Sequence, residues 1–129
     1  MANPRAFIAF DYEHDEFLRT AIIGQSKHKD TDFEISDWSV KVPFTGDWEK
    51  KVRERIKCVD LVIVVCGEHT LNASGVATEV KIAREEGIPY FLLWGYKGKT
   101  CYKPPTALTT DKIYDWSWDN LKNLVRGSR

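Results

Sequence analysis

The sequence predicts an α/β fold of the open, doubly wound kind: a five-stranded parallel sheet of order 2-1-3-4-5, with helices on both faces. Three observations lead there. Leu61–Cys66 is a run of six apolar residues, mostly β-branched. A run that short and uniform suits a strand buried on both faces, as in a parallel sheet covered by helices. The residues after it read as loop, helix and a second apolar strand, so Cys58–Trp94 forms a βαβ unit, whose crossover should be right-handed. The same alternation then continues on both sides of that unit.

Arg5–Phe10 is the first strand, followed by the polar loop Asp11–Asp15. Asp15 can cap a helix with apolar positions Phe17, Leu18, Ala21 and Ile22, which Gly24 ends. Ser26–Asp32 is a charged loop. Phe33–Ile35 alternates like a short, half-exposed edge strand. The loop Asp37–Asp47 holds Trp38, Pro43, Phe44 and Gly46, too apolar for a simple solvated linker. Three roles fit it: folding over a ligand, facing another chain, or tucking Trp38 and Phe44 into the core.

Asp47 can cap the next helix, where Trp48, Val52 and Ile56 recur at i, i+4, i+8 as a narrow buried stripe. Lys50, Lys51, Arg53, Arg55 and Lys57 surround that stripe. They suit a solvated face or a contact to nucleotide phosphates. In the βαβ unit, Asn72 and Ser74 are candidate N-caps. The helix from about Gly75 carries Val76, Val80 and Ala83 on one face, and Gly87 followed by Pro89 stops it. Tyr90–Trp94 is the next strand. Gly95–Thr110 reads as a loop, with Gly98, Pro104 and Pro105, made basic by Lys97, Lys99 and Lys103. Its Tyr96 and Tyr102 either stack on a base or pack down on the fold. Ile113–Tyr114 is a short last strand. Asp115 or Ser117 caps a final helix that carries Trp118, Leu121, Leu124 and Val125 on one side.

A chain of 129 residues suggests one domain, residues 1–129, with an adequate core. Lys+Arg and Asp+Glu both number 19, which argues against wholesale nucleic-acid binding, since that needs a cationic excess. No apolar run reaches membrane-spanning length and the start lacks a signal-peptide core, so a cytoplasmic protein without a membrane partner is expected. Cys58, Cys66 and Cys101 show no CxxC or Cys/His spacing and read as free thiols. His14, His28 and His69 are scattered, so no metal site is expected.

In a 2-1-3-4-5 sheet the switch point lies between the first and third strands. Asp11, Tyr12 and the entry to the helix holding Glu79 then line one crevice. Glu79 lies about 60° from the centre of its helix's apolar stripe. Its neighbours at i±3 and i±4 are Gly75, Val76, Ile82 and Ala83, none of them basic, so no helical ion pair accounts for it. A carboxylate there also complements the helix dipole. The chain has no GxGxxG, no GxxxxGK[ST] and no GxSxG. A response regulator would carry an Asp where Cys66-Gly67-Glu68 stands. What remains is one carboxylate with aromatics around it. Such a group can stabilise an oxocarbenium ion or hold ribose hydroxyls while an N-glycosidic bond breaks, without a metal.

The pattern resembles the TIR-like domains of the Thoeris ThsB group, relatives of Toll/interleukin-1 receptor domains. The resemblance runs through Arg5-Ala6-Phe7-Ile8-Ala9-Phe10-Asp11-Tyr12 with Asp15, then Asp37-Trp38-Ser39-Val40-Lys41. It continues in Val62–Gly67 with Thr70, and in Val76-Ala77-Thr78-Glu79-Val80 leading to Ala83 and Gly87-Ile88-Pro89. The resemblance implies a flavodoxin-like three-layer sandwich and cleavage of NAD at the nicotinamide–ribose bond in antiphage defence. It implies an ADP-ribose-derived signal that reaches a separate effector protein, and self-assembly through TIR contacts. NAD is then a substrate, with no cofactor. The family's catalytic glutamate maps to Glu79, and its substrate-lining loops map to Phe10, Asp11, Tyr12 and Trp38. This chain departs from many TIR enzymes: Ala9 or Phe10 stands where they carry Ser, and Gly75 or Val76 where they carry Trp or Cys.

Two alternatives stand beside an enzyme. One is a non-catalytic TIR-like interaction module working through the Asp37–Asp47 loop. The other is a nucleoside deoxyribosyltransferase-like enzyme that uses a carboxylate nucleophile on a free nucleoside. An NAD-cleaving enzyme needs Glu79 open to a pocket with aromatic walls; a scaffold does not.

Overall fold

The computed structural model describes residues 5–11, 48–96 and 98–125. The expected helix after Asp15, the strand Phe33–Ile35, the loop Asp37–Asp47, Tyr12 and Trp38 lie outside these residues. Four parallel strands are described: β1 (Ala6–Ala9), β2 (Leu61–Cys66), β3 (Tyr90–Trp94) and β4 (Ile113–Asp115). Their order is β1-β2-β3-β4, which matches the 1-3-4-5 part of the expected sheet. One register row runs Ala9, Val64, Leu92, Ile113 across all four. Three helices accompany them: α1 (Trp48–Ile56), α2 (Ser74–Glu85) and α3 (Trp118–Val125).

Every residue of β1 and β2 is buried, and their side chains alternate between two cores, as a strand's period of two requires. Phe7, Ala9, Val62, Val64, Cys66 and Leu92 face α1 and α2, where Trp48, Val52, Ile56, Val76, Val80 and Ala83 complete the packing. Ala6, Ile8, Phe10, Ile63, Val65, Phe91 and Leu93 face the other way and are covered by Leu121 and Leu124 of α3. The two helical stripes expected from spacing are therefore core. Arg53 of α1 reaches across to α2, with Nη1 2.8 Å from Glu86 and Nη2 2.9 Å from Glu85. One of the four basic residues of that helix is thus committed to holding two helices together.

The helix ends follow local chemistry. Ser117 Oγ accepts the Asn120 amide at 3.1 Å, so Ser117, not Asp115, caps α3. At the end of α2 the Ile88 amide donates to the Ala83 carbonyl at 2.9 Å and Gly87 to Arg84 at 3.3 Å. This is the paired bonding of a Schellman stop, with Gly87 at φ +69°. A Cβ at Gly87 would meet nothing within 4 Å, so Gly87→Ala carries the left-handed backbone penalty alone. We expect it to destabilise by about 1–2 kcal/mol, seen as a lower denaturant midpoint with an unchanged slope.

The start of α2 differs from expectation. Thr70–Asn72 forms a 3-10 turn, the N-cap is Ala73, and Ser74 is already the first helical residue. Asn72 is drawn into that turn, its amide donating to the His69 carbonyl at 3.0 Å. Neither Asn72 nor Ser74 therefore occupies the capping position.

Candidate functional site

The loop from β2 to α2 is built on Gly67. Its amide donates to Thr70 Oγ1 at 2.7 Å, and its carbonyl accepts the Tyr102 amide at 3.1 Å. The Cys66 carbonyl accepts from Gly95 at 2.9 Å, so the ends of β2 and β3 and the segment near Tyr102 are joined. Thr70 is fully buried; its hydroxyl satisfies an amide that would otherwise be stranded, which fixes the tight exit from the strand. Thr70 matters more to this geometry than its neighbours, and the signal for it was the Gly-x-x-Thr spacing.

Glu79 is the sixth residue of α2, about 7.5 Å along the axis from the first. It therefore sits deeper in the helix than a position at the N-terminus, and it is 5% exposed. Its flanking positions Val76, Val80, Ile82 and Ala83 all belong to the core. Among the described residues no hydrogen bond or ion pair reaches its carboxyl, and burial by itself holds the group well above the usual carboxylate range. A buried polar group without a partner costs about 1–3 kcal/mol. A carboxyl kept at that cost is a functional candidate.

The other expected site residues divide. Asp11 follows β1 at the C-terminal edge of the sheet, the edge from which the loop to α2 also departs, and is 9% exposed. Phe10 is buried with Ile8, Ile63 and Leu121, on the face of the sheet opposite α2. It supports β1 from behind and does not share the core that surrounds Glu79. Tyr12 and Trp38 are outside the described residues. Tyr96 packs against both cores, with the Lys99 ammonium 4.9 Å from its ring centre. Tyr102 is 44% exposed.

A cleft of about 390 Å³ opens at the far end of α2, lined by Arg84, Ile88, Pro89, Tyr90, Leu108 and Asp111 among others. Its polar groups are engaged: the Tyr90 hydroxyl donates to Asp111, and the Arg84 guanidinium donates to the Thr106 carbonyl outside the lining. Burial, reinforced by the bond to Asp111, pushes Tyr90 up to about 12. No group of three or more His, Cys, Asp or Glu among the described residues could hold a metal ion. No helix among them is long and apolar enough to cross a membrane.

The model of the family described as "Thoeris protein ThsB, TIR-like domain" matches residues 7–97. The chain belongs to the ThsB TIR-like family. Its match spans β1 through β3 and includes Glu79, while β4 and α3 lie beyond it. Among solved structures the ThsB-type chain is similar to one titled "Crystal Structure of a prokaryotic SEFIR domain", with a TM-score of 0.59 and 17% identity. That similarity covers 96% of this chain and 91% of the other, and at such identity it speaks for the fold. No curated protein sequence matches.

Proposed function

We propose that this domain cleaves NAD at the nicotinamide–ribose bond and releases an ADP-ribose-derived signal in antiphage defence, with Glu79 as its catalytic carboxylate. The observation that carries this reading is the buried Glu79 carboxyl on the helix after β2, which no hydrogen bond or ion pair reaches among the described residues, in a chain of the ThsB family. A dry carboxyl is well matched to a substrate that brings its own positive charge. The nicotinamide ring of NAD is a cation, and the ribosyl group becomes one as the bond breaks. Either charge favours the ionised carboxylate and strengthens as water leaves. Asp11 would contribute from the end of β1, with Tyr12 and Trp38 shaping the walls and Phe10 fixing β1 beneath them. Water capture gives ADP-ribose; capture by another nucleophile gives a cyclic or conjugated product.

The remaining parts of the reading follow from the same family. Phe33–Ile35 would add a fifth strand beside β1, giving the order 2-1-3-4-5 in a single domain. Copies would assemble through TIR contacts in the cytoplasm, and a separate effector would receive the signal. A second reading, an interaction module without catalysis, is favoured by one observation: Glu79 is 5% exposed. NAD consumption by the concentrated protein, with products separated chromatographically, decides between them. Turnover by the parent that Glu79→Gln removes supports the enzyme. Equal turnover in both proteins sinks the assignment to Glu79. Silence in both under assembling conditions favours the module.

A further inference from the structure

The segment between β3 and β4 replaces the helix that usually makes such a crossover, and it is densely bonded. The Lys103 ammonium donates to three carbonyls, Leu108 at 3.2 Å, Thr109 at 3.1 Å and Asp111 at 3.0 Å. The Asp111 carboxylate accepts the Leu108 amide at 2.8 Å and the Tyr90 hydroxyl. The Ala107 amide closes a turn onto the Pro104 carbonyl at 3.1 Å, with Pro105 at the position where a fixed φ favours a turn. That turn presents Thr106. Its hydroxyl donates to the Ala77 carbonyl at 2.6 Å, and its own carbonyl accepts Arg84 Nη1 at 2.9 Å. Ala77 and Arg84, seven residues apart, share one flank of α2, and Glu79 lies on roughly the opposite flank, so the grip acts on Glu79 through the helix as a body.

We infer that Thr106 is a positioning residue for Glu79, holding the middle of α2 against the sheet through its paired bonds to Ala77 and Arg84. This rests on the proposed role of Glu79, but its physical content is separate. The segment from Lys103 to Asp111 is a rigid strap, and Thr106 is the point at which it grips the helix. Nothing else among the described hydrogen bonds ties that segment to the first half of α2. Release of the grip lets the helix shift outward and lets water reach the carboxyl.

The test pairs Thr106→Val, which keeps the shape and removes the donor, with Thr106→Ser, which restores it. Carbon-13 NMR of glutamate-labelled protein follows the Glu79 carboxyl, identified by its absence in Glu79→Gln. We expect Thr106→Val to move the Glu79 titration midpoint down by about one pH unit. It should also lower kcat for NAD by about tenfold with KM little changed. Thr106→Ser should recover both. An unchanged midpoint in Thr106→Val, or equal changes in the Val and Ser variants, overturns the inference. Should Thr106→Val fail to fold, Arg84→Gln removes the second anchor and is read in the same way. If the parent turns over no NAD, the NMR titration still decides the positioning role, and only the proposed enzyme is lost.

Discussion

Glu79→Gln is expected to lower NAD turnover by about 10²- to 10³-fold, the usual cost of removing one preorganised charge partner of a transition state. It should do so while making the protein more stable at neutral pH. The sign follows from burial. A folded-state carboxyl held above its ordinary value of 4.5 keeps its proton while the unfolded chain gives it up. The parent therefore has its full stability below that value and loses some as pH rises toward the folded-state midpoint. A glutamine does not titrate, so the two proteins should have similar stability near pH 4 and diverge above it. The gap should widen by at most about 1.4 kcal/mol per pH unit until the folded-state midpoint is reached. Thermal unfolding across that pH range measures it. A gap that stays constant with pH would place the carboxyl in water, against the geometry.

The largest loss of stability is expected at Leu121. It is fully buried and seats α3 on the core of Ile8, Phe10, Ile63, Val65, Phe91 and Leu93. Leu121→Ala removes that anchor and leaves a cavity, at a cost of about 2–5 kcal/mol. Denaturant unfolding should show it as a lower midpoint. The substitution lies across the sheet from Glu79, so the folded fraction should keep its NAD turnover. The helix is also beyond the 7–97 stretch that matches the family, and a chain shortened to that stretch would lose the Leu121 and Leu124 cover over Ile8, Phe10, Ile63 and Val65. Such a truncation is expected to aggregate.

These results bear on what could be read from residues alone. Leu61–Cys66, the Trp48/Val52/Ile56 stripe and the Gly87–Pro89 stop were readable because each depends on local periodicity or backbone chemistry. Ser117 was readable as one of two caps for the same reason. The strap was not. Its order comes from Lys103 gathering three carbonyls and from Thr106 reaching a helix 29 residues earlier, so the residues themselves read as a basic loop. That Glu79 has no helical ion-pair partner was visible in its apolar neighbours, but its depth was not. A helical wheel places it at the edge of the stripe, and only tertiary packing decides whether that edge is covered. Asn72 and Ser74 looked like caps because the sequence carried no sign of the 3-10 turn that takes up Thr70–Asn72.

The three cysteines sit at three depths. Cys58 is exposed in the turn after α1, Cys101 is 5% exposed at the start of the segment that grips α2, and Cys66 is fully buried at the end of β2. A thiol reagent meets the first in the native protein and the other two only after an opening of the chain. The molecule therefore carries its own clock of partial unfolding. One thiol reports the resting surface, one the release of the β3–β4 connection, and one the parting of the central strands. The order in which they react separates motion around Glu79 from loss of the fold.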